Sequence, residues 1–105
     1  DLQRHLKKSV NIYRKRRDRF CSLVDEHLSE HVSFNKPEGG MSVWMVFKRP
    51  GIAKTFLEKL SDKGYLLDVD PDFLKKFNAV RIGFASLNEK EMLRFVITLR
   101  SVVSN

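Results

Sequence analysis

The sequence predicts an α+β domain, a two-layer sandwich in which three helices cover one face of a small, mostly antiparallel sheet. Two kinds of periodicity predict it. Apolar residues recur at three- and four-residue steps over 2–30, 52–63 and 87–103, while 41–48 and 79–85 alternate strictly. Shorter extended pieces lie between them, so the order reads helix, short strand, strand, helix, short strand, strand, helix. The third observation is size: 105 residues, 42% hydrophobic and 31% charged, give one domain (1–105) with a modest core rather than a disordered chain.

Leu2, Leu6, Val10, Tyr13, Phe20, Val24 and Leu28 form one stripe of a long first helix. Lys7, Lys8, Arg14, Lys15 and Arg19 fall on its other side, and Arg17 lies inside the stripe, where it either snorkels or meets a carboxylate. The helix opens almost at residue 1 with Asp1 as its only capping signal, which suggests a segment of a longer chain. Val32-Ser33-Phe34 is a short extended piece, and Asn35-Lys36-Pro37-Glu38-Gly39-Gly40 is a turn. From Met41 to Lys48 both faces are apolar, as in a central strand. Arg49-Pro50-Gly51 breaks it. A second helix follows over 52–63 with Gly64 as its left-handed cap, then a brief strand Tyr65-Leu66-Leu67 and a loop over residues 68–72. Residues 73–78 lead into a central strand, Ala79–Ala85. Ser86-x-x-Glu89 reads as the capping box of a last helix that packs through Met92, Leu93, Val96, Ile97, Leu99 and Val103.

The net charge of +7 is local. Residues 1–20 hold eight Lys or Arg against two Asp, and residues 21–105 hold twelve against eleven acids. A basic face over the whole domain is therefore not indicated. No apolar run approaches the ~20 residues of a membrane span, and the lone Cys21 fits a reducing cytoplasm and reads as a small buried hydrophobe. CxxC, H-E-x-x-H, P-loop and G-x-G-x-x-G motifs are all missing. His5, His27 and His31 make no metal set, and the acids of 68–72 lack the glycine and terminal glutamate of a calcium loop.

One residue stands out chemically. In Ala79-Val80-Arg81-Ile82-Gly83-Phe84-Ala85, Val80, Ile82 and Phe84 share one face, and Arg81 shares the other with small residues that leave room beside its guanidinium. A confined guanidinium needs a planar acceptor, a carboxylate or phosphate. An Asp or Glu of the same chain, or a strand edge open to water, would serve it equally well.

Several patches together resemble one family. His5-Leu6-Lys7-Lys8, Tyr13 and Arg16-Arg17-Asp18 resemble the start of the C-terminal small domain of class I/II (fold type I) pyridoxal-phosphate aminotransferases, closest to the aminotransferase-like part of MocR-type regulators of the GntR superfamily. Phe34 to Trp44 looks like that family's "F..P.GG...W" turn and strand; Gly64-Tyr65, Phe73 and Val80 to Ala85 resemble its "R-[LI]-G-F-A" ending. Ser9-Val10 stands where the family often has Met-Arg, so that second Arg is not carried over.

The resemblance implies that Arg81 grips the α-carboxylate of an amino-acid or amine ligand and that Gly39, Gly40 and Met41 line the mouth of the site. It implies pyridoxal 5'-phosphate in the full-length protein and none in this fragment, whose partner is the large domain of its own chain. The parent would be a homodimer, either an aminotransferase or a cytoplasmic transcriptional regulator that meets DNA through a separate N-terminal domain. The regulator is favoured by the His5–Asp18 pattern. A stand-alone domain that binds nucleic acid or protein through its basic first helix is the alternative; it predicts affinity that falls steeply with salt.

Overall fold

The computed structural model describes residues 1–65 and 71–104. Its elements are α1 (Leu2–Leu28), β1 (Val32–Phe34), β2 (Ser42–Phe47), α2 (Ala53–Asp62), α3 (Pro71–Lys76), β3 (Ala79–Gly83) and α4 (Glu89–Ser104). The sheet runs β1-β2-β3 with both pairs antiparallel, Phe34 opposite Met45 and Trp44 opposite Arg81. The expected α+β class holds. Alternation puts Val43, Met45, Phe47, Val80 and Ile82 on the inner face, each at most 4% exposed, against Phe20, Leu23, Val24 and Leu28 of α1, Phe56 and Leu60 of α2, and the buried face of α4. Phe20 stacks on Phe84 with ring centroids 5.5 Å apart.

Several expectations are corrected. The long central strand is β2, whereas Ala79–Gly83 is an edge strand among the described residues, and Phe84 and Ala85 lie beyond its end. Residues 71–76 form a helix instead of a loop and lead-in, since a proline at the first helical position loses no backbone hydrogen bond there. Its residue Phe73 touches Trp44, so α3 meets the sheet on the face opposite the core. The expected strand at 65–67 and the loop at 68–70 lie mostly outside the described residues; Tyr65 itself packs on Phe95 at 5.1 Å.

The apolar stripe of α1 is core only in its second half. Leu2, Leu6 and Val10 are 74%, 54% and 45% exposed. A helix of 27 residues is about 40 Å long, against a molecule 27 × 24 Å in its two shorter dimensions. The first turns of α1 therefore run past the sheet. In α4, Leu93 and Ile97 are exposed, and Phe95 and Val102 take the core positions assigned to them.

Caps explain where the helices stop. Gly64, at φ +92°, ends α2 in a Schellman arrangement, its N–H donating to Ser61 and that of Tyr65 to Leu60. The box that opens α4 sits two residues later than expected. Asn88 Oδ1 accepts from the N–H of Glu91 at 2.9 Å and Glu91 Oε1 accepts from that of Asn88 at 3.1 Å. Phe84 buried in the core and the turn after it, where the N–H of Leu87 donates to Phe84, delay the start. The N-terminus of α2 has no cap of its own. Asn78, 26 residues away, supplies one: its Oδ1 accepts from the N–H groups of Ile52 and Ala53, both at 3.0 Å.

Candidate functional site

The outer positions of β2 and β3 are Ser42, Trp44, Val46, Ala79, Arg81 and Gly83, of which Ala79, opposite Val46, is buried. Arg81 and Trp44 are directly opposite in the antiparallel register, so their side chains leave the same face as neighbours. The Arg81 Cζ lies 5.8 Å from the centroid of the Trp44 ring, over its face. Phe73 of α3 packs against the same indole at 5.1 Å and against Phe77 at 4.8 Å. Arg81 is exposed, and no carboxylate of the described residues forms an ion pair with it. Of the settings open to it on sequence, the edge strand facing water is the one observed among the described residues. The expectation of a confined side chain is not met within this chain, because Gly83 and Ala85 are also open.

Gly39, Gly40 and Met41 lie at the end of β2 beside the exit of β3. The carbonyl of Met41 accepts from the N–H of Phe84 at 2.9 Å. Gly40 has φ +78°, a backbone geometry that side chains with a Cβ rarely adopt, whereas Gly39 does not need it. Met41 is three residues before Trp44, the partner of Arg81, about 10 Å along the strand. The turn lies at one end of the sheet, where Met41 packs against the core, whereas Arg81 is the middle residue of β3 and leaves the sheet on the opposite face.

One turn of α1 fixes both loops at that end. Arg17 donates to the carbonyl of Pro37 at 3.3 Å, lies over the ring of Tyr13 at 5.6 Å, and pairs with Asp18 at 3.1 Å. Arg16 donates to the carbonyl of Ala85. Asp18 in turn holds Lys36 at 2.7 Å. Sequence reading found Arg17 anomalous but missed Arg16 as a clamp, since a basic residue beside other basic residues carries no signal of a carbonyl 69 positions away. Arg19 also pairs with Glu89 at 3.2 Å, so three of the eight cations of α1 are engaged within the protein, which leaves less of the basic face for nucleic acid.

The hydrogen bond from the Lys36 ammonium is the main cause that holds the Asp18 carboxyl below its ordinary value of 3.8; partial desolvation opposes it, and Arg17 adds a smaller lowering. A carboxylate depressed in the folded state stabilises the fold above its unfolded value, and that stabilisation is lost as pH falls through the folded one. Asp18→Asn is therefore expected to flatten the acid limb of the stability profile slightly, read as urea midpoints at neutral pH and on the acid side of 3.8. Burial pushes the Cys21 thiol up, as befits a side chain 7% exposed in the core. His27 stands 3.9 Å from Glu26, and among the described residues no three His, Cys, Asp or Glu are grouped to hold a metal. No helix among them is long and apolar enough to cross a membrane.

Comparison with known proteins shows what this arrangement is similar to. No protein-family model matches the chain. Aromatic-amino-acid aminotransferase 1 of Thermococcus litoralis is 36% identical over 94 residues, 87% of this chain and 22% of that protein. The uncharacterised HTH-type transcriptional regulator YdfD of Bacillus subtilis is 26% identical over 92% of this chain and 20% of its own length. Among solved structures, kynurenine aminotransferase of Pyrococcus horikoshii superposes with a TM-score of 0.83 at 25% identity, over 98% of this chain and 26% of that one. The chain thus spans about a fifth to a quarter of the proteins it matches. The three-stranded sheet with its helices matches their C-terminal subdomain.

Proposed function

We propose that this chain, whose homologues and structural neighbours are pyridoxal-phosphate-dependent aminotransferases of fold type I, is the C-terminal subdomain of a larger aminotransferase-like protein in which Arg81 holds the α-carboxylate of an amino-acid ligand. The observation that carries the reading is the Arg81 guanidinium itself, presented on an open sheet face with no acid of the described residues paired to it. Such a fork matches a carboxylate in two parallel hydrogen bonds. Its role is orientation: holding the carboxylate fixes where the ligand's α-amino group points and removes rotational freedom before any bond changes.

The outer face does not itself fit the cofactor. Pyridoxal phosphate requires a lysine for its aldehyde, an acid for its ring nitrogen and a cradle for its phosphate. The outward positions of β2 and β3 offer one arginine, an indole, a serine, a valine, an alanine and a glycine. Those groups would come from the rest of the protein, and what this chain contributes is the carboxylate grip, with Gly39, Gly40 and Met41 at the mouth of the site.

We read the parent as a GntR/MocR-type regulator. The relation to YdfD and the His5–Asp18 pattern support that reading. The ligand held by Arg81 is then sensed by a cytoplasmic homodimer, and DNA is met by an N-terminal domain outside this chain. A winged helix-turn-helix before Asp1 and operator binding that changes when the amino acid is added are expected; turnover of the amino acid without DNA binding makes the parent an enzyme instead.

Arg81→Lys in the whole protein tests the grip. A lysine keeps the charge and loses the planar fork. Amino-acid affinity is expected to fall about tenfold to hundredfold, the worth of one or two charge-assisted hydrogen bonds, with the absorbance of the bound cofactor unchanged. Unaltered affinity overturns the assignment.

A further inference from the structure

We propose that Trp44 is the positioning residue for Arg81: an indole platform, backed by Phe73, that sets the direction in which the guanidinium meets a carboxylate. The inference rests on the carboxylate-binding reading of Arg81 and adds a residue to it. Its starting point is an oddity of β2. A tryptophan 48% exposed on the open face of a sheet contributes little to the core, where Val43 and Met45 are each 1% exposed.

What the indole does touch is specific. Arg81 Cζ sits 5.8 Å over it, from the position directly across the strand pair. Phe73 lies 5.1 Å from it and is itself held by Phe77, four residues on in the chain, at 4.8 Å. The indole is thus fixed from one side by α3 and offers its face to the cation. A free arginine on an open strand has rotamer entropy to lose on gripping a ligand. A guanidinium over an aromatic face is attracted through its charge and the ring quadrupole, an attraction that uses none of its N–H donors. Those donors stay available for a planar acceptor. The platform therefore reduces the ordering cost of the grip without competing for it.

The test uses the whole protein, loaded with its cofactor, and four variants: Trp44→Leu, Trp44→Phe, Phe73→Leu and Arg81→Lys. The probes are the twenty proteinogenic L-amino acids and, for the one that binds most tightly, the amine left when its carboxylate is removed. Trp44→Leu is expected to weaken the amino acid about three- to thirtyfold, the range of a cation–π contact between exposed and desolvated settings, and to leave the amine within twofold. Trp44→Phe, which keeps a ring face, restores most of the loss, and Phe73→Leu reproduces part of it. A merely structural Trp44 would weaken acid and amine alike, and that outcome overturns the platform. So does a wild-type affinity in Trp44→Leu when Arg81→Lys is impaired. If Arg81→Lys binds as wild type, or no amino acid binds, the carboxylate reading fails first and the platform with it. Should Trp44→Leu not fold, the comparison of acid and amine in Phe73→Leu decides alone, equal loss for both counting against the proposal.

Discussion

Phe20→Ala is expected to lower the unfolding free energy of this domain by about 3–5 kcal/mol. Phe20 is fully buried and lies where α1 crosses the sheet, its ring stacked on that of Phe84 at 5.5 Å. Truncation removes the transfer free energy of the ring and leaves a void among α1, β3 and α4 that Val24 and Val96, both fully buried, are too short to fill. A domain of this size has about 5–15 kcal/mol in all, so the loss approaches the whole of the lower bound. The urea midpoint should fall steeply with the slope unchanged, whereas Leu6→Ala, at a position 54% exposed, should shift it by less than about 0.5 kcal/mol. Equal effects at the two positions would contradict the division of α1 into a buried and an open half.

Asn78→Ala carries the second large effect, about 2–3 kcal/mol. Its amide joins three segments. The oxygen caps α2 at Ile52 and Ala53, and the nitrogen donates to the carbonyls of Phe47 at 3.2 Å and Arg49 at 2.6 Å. The backbone of the same residue accepts from the N–H of Phe47 at 2.9 Å, so the end of β2, the turn at Pro50 and the start of β3 all hang on one position. Asn78→Asp separates the two halves of the role. An aspartate caps as well as an asparagine but offers no donor to the two carbonyls, and its charge faces their oxygens. Thermal unfolding should place it between wild type and alanine. If it matches wild type, the carbonyl bonds contribute nothing; if it matches alanine, repulsion between its charge and the two carbonyl oxygens offsets the cap.

The candidate site was legible in part. Arg81 declared itself by type and by neighbours: one permanent charge at alternate spacing between aliphatic residues is a local pattern, and its outward direction follows from the two-residue period of a strand. Its partner on the sheet did not declare itself. Trp44 and Arg81 meet through a register between strands 37 positions apart, and Phe73 reaches Trp44 from a helix whose residues read in sequence as the end of a loop and the lead-in to a strand. Arg16 was visible only as part of a charge run and Arg17 only as a cation inside the apolar stripe, because the carbonyls they hold at Ala85 and Pro37 belong to other turns.

By itself the sequence determined the helical and extended periods, the inner faces of β2 and β3, the glycine that ends α2 and the charge type at position 81, since each of these is written in residues within one or two turns of one another. Tertiary structure alone decided that β3 is an edge strand among the described residues, that the first half of α1 runs free of the core, that a distant asparagine caps α2, and that an indole lies beneath the guanidinium. Those outcomes depend on which segments pack together, and contacts across tens of residues are fixed by the fit of whole faces rather than by any short pattern along the chain.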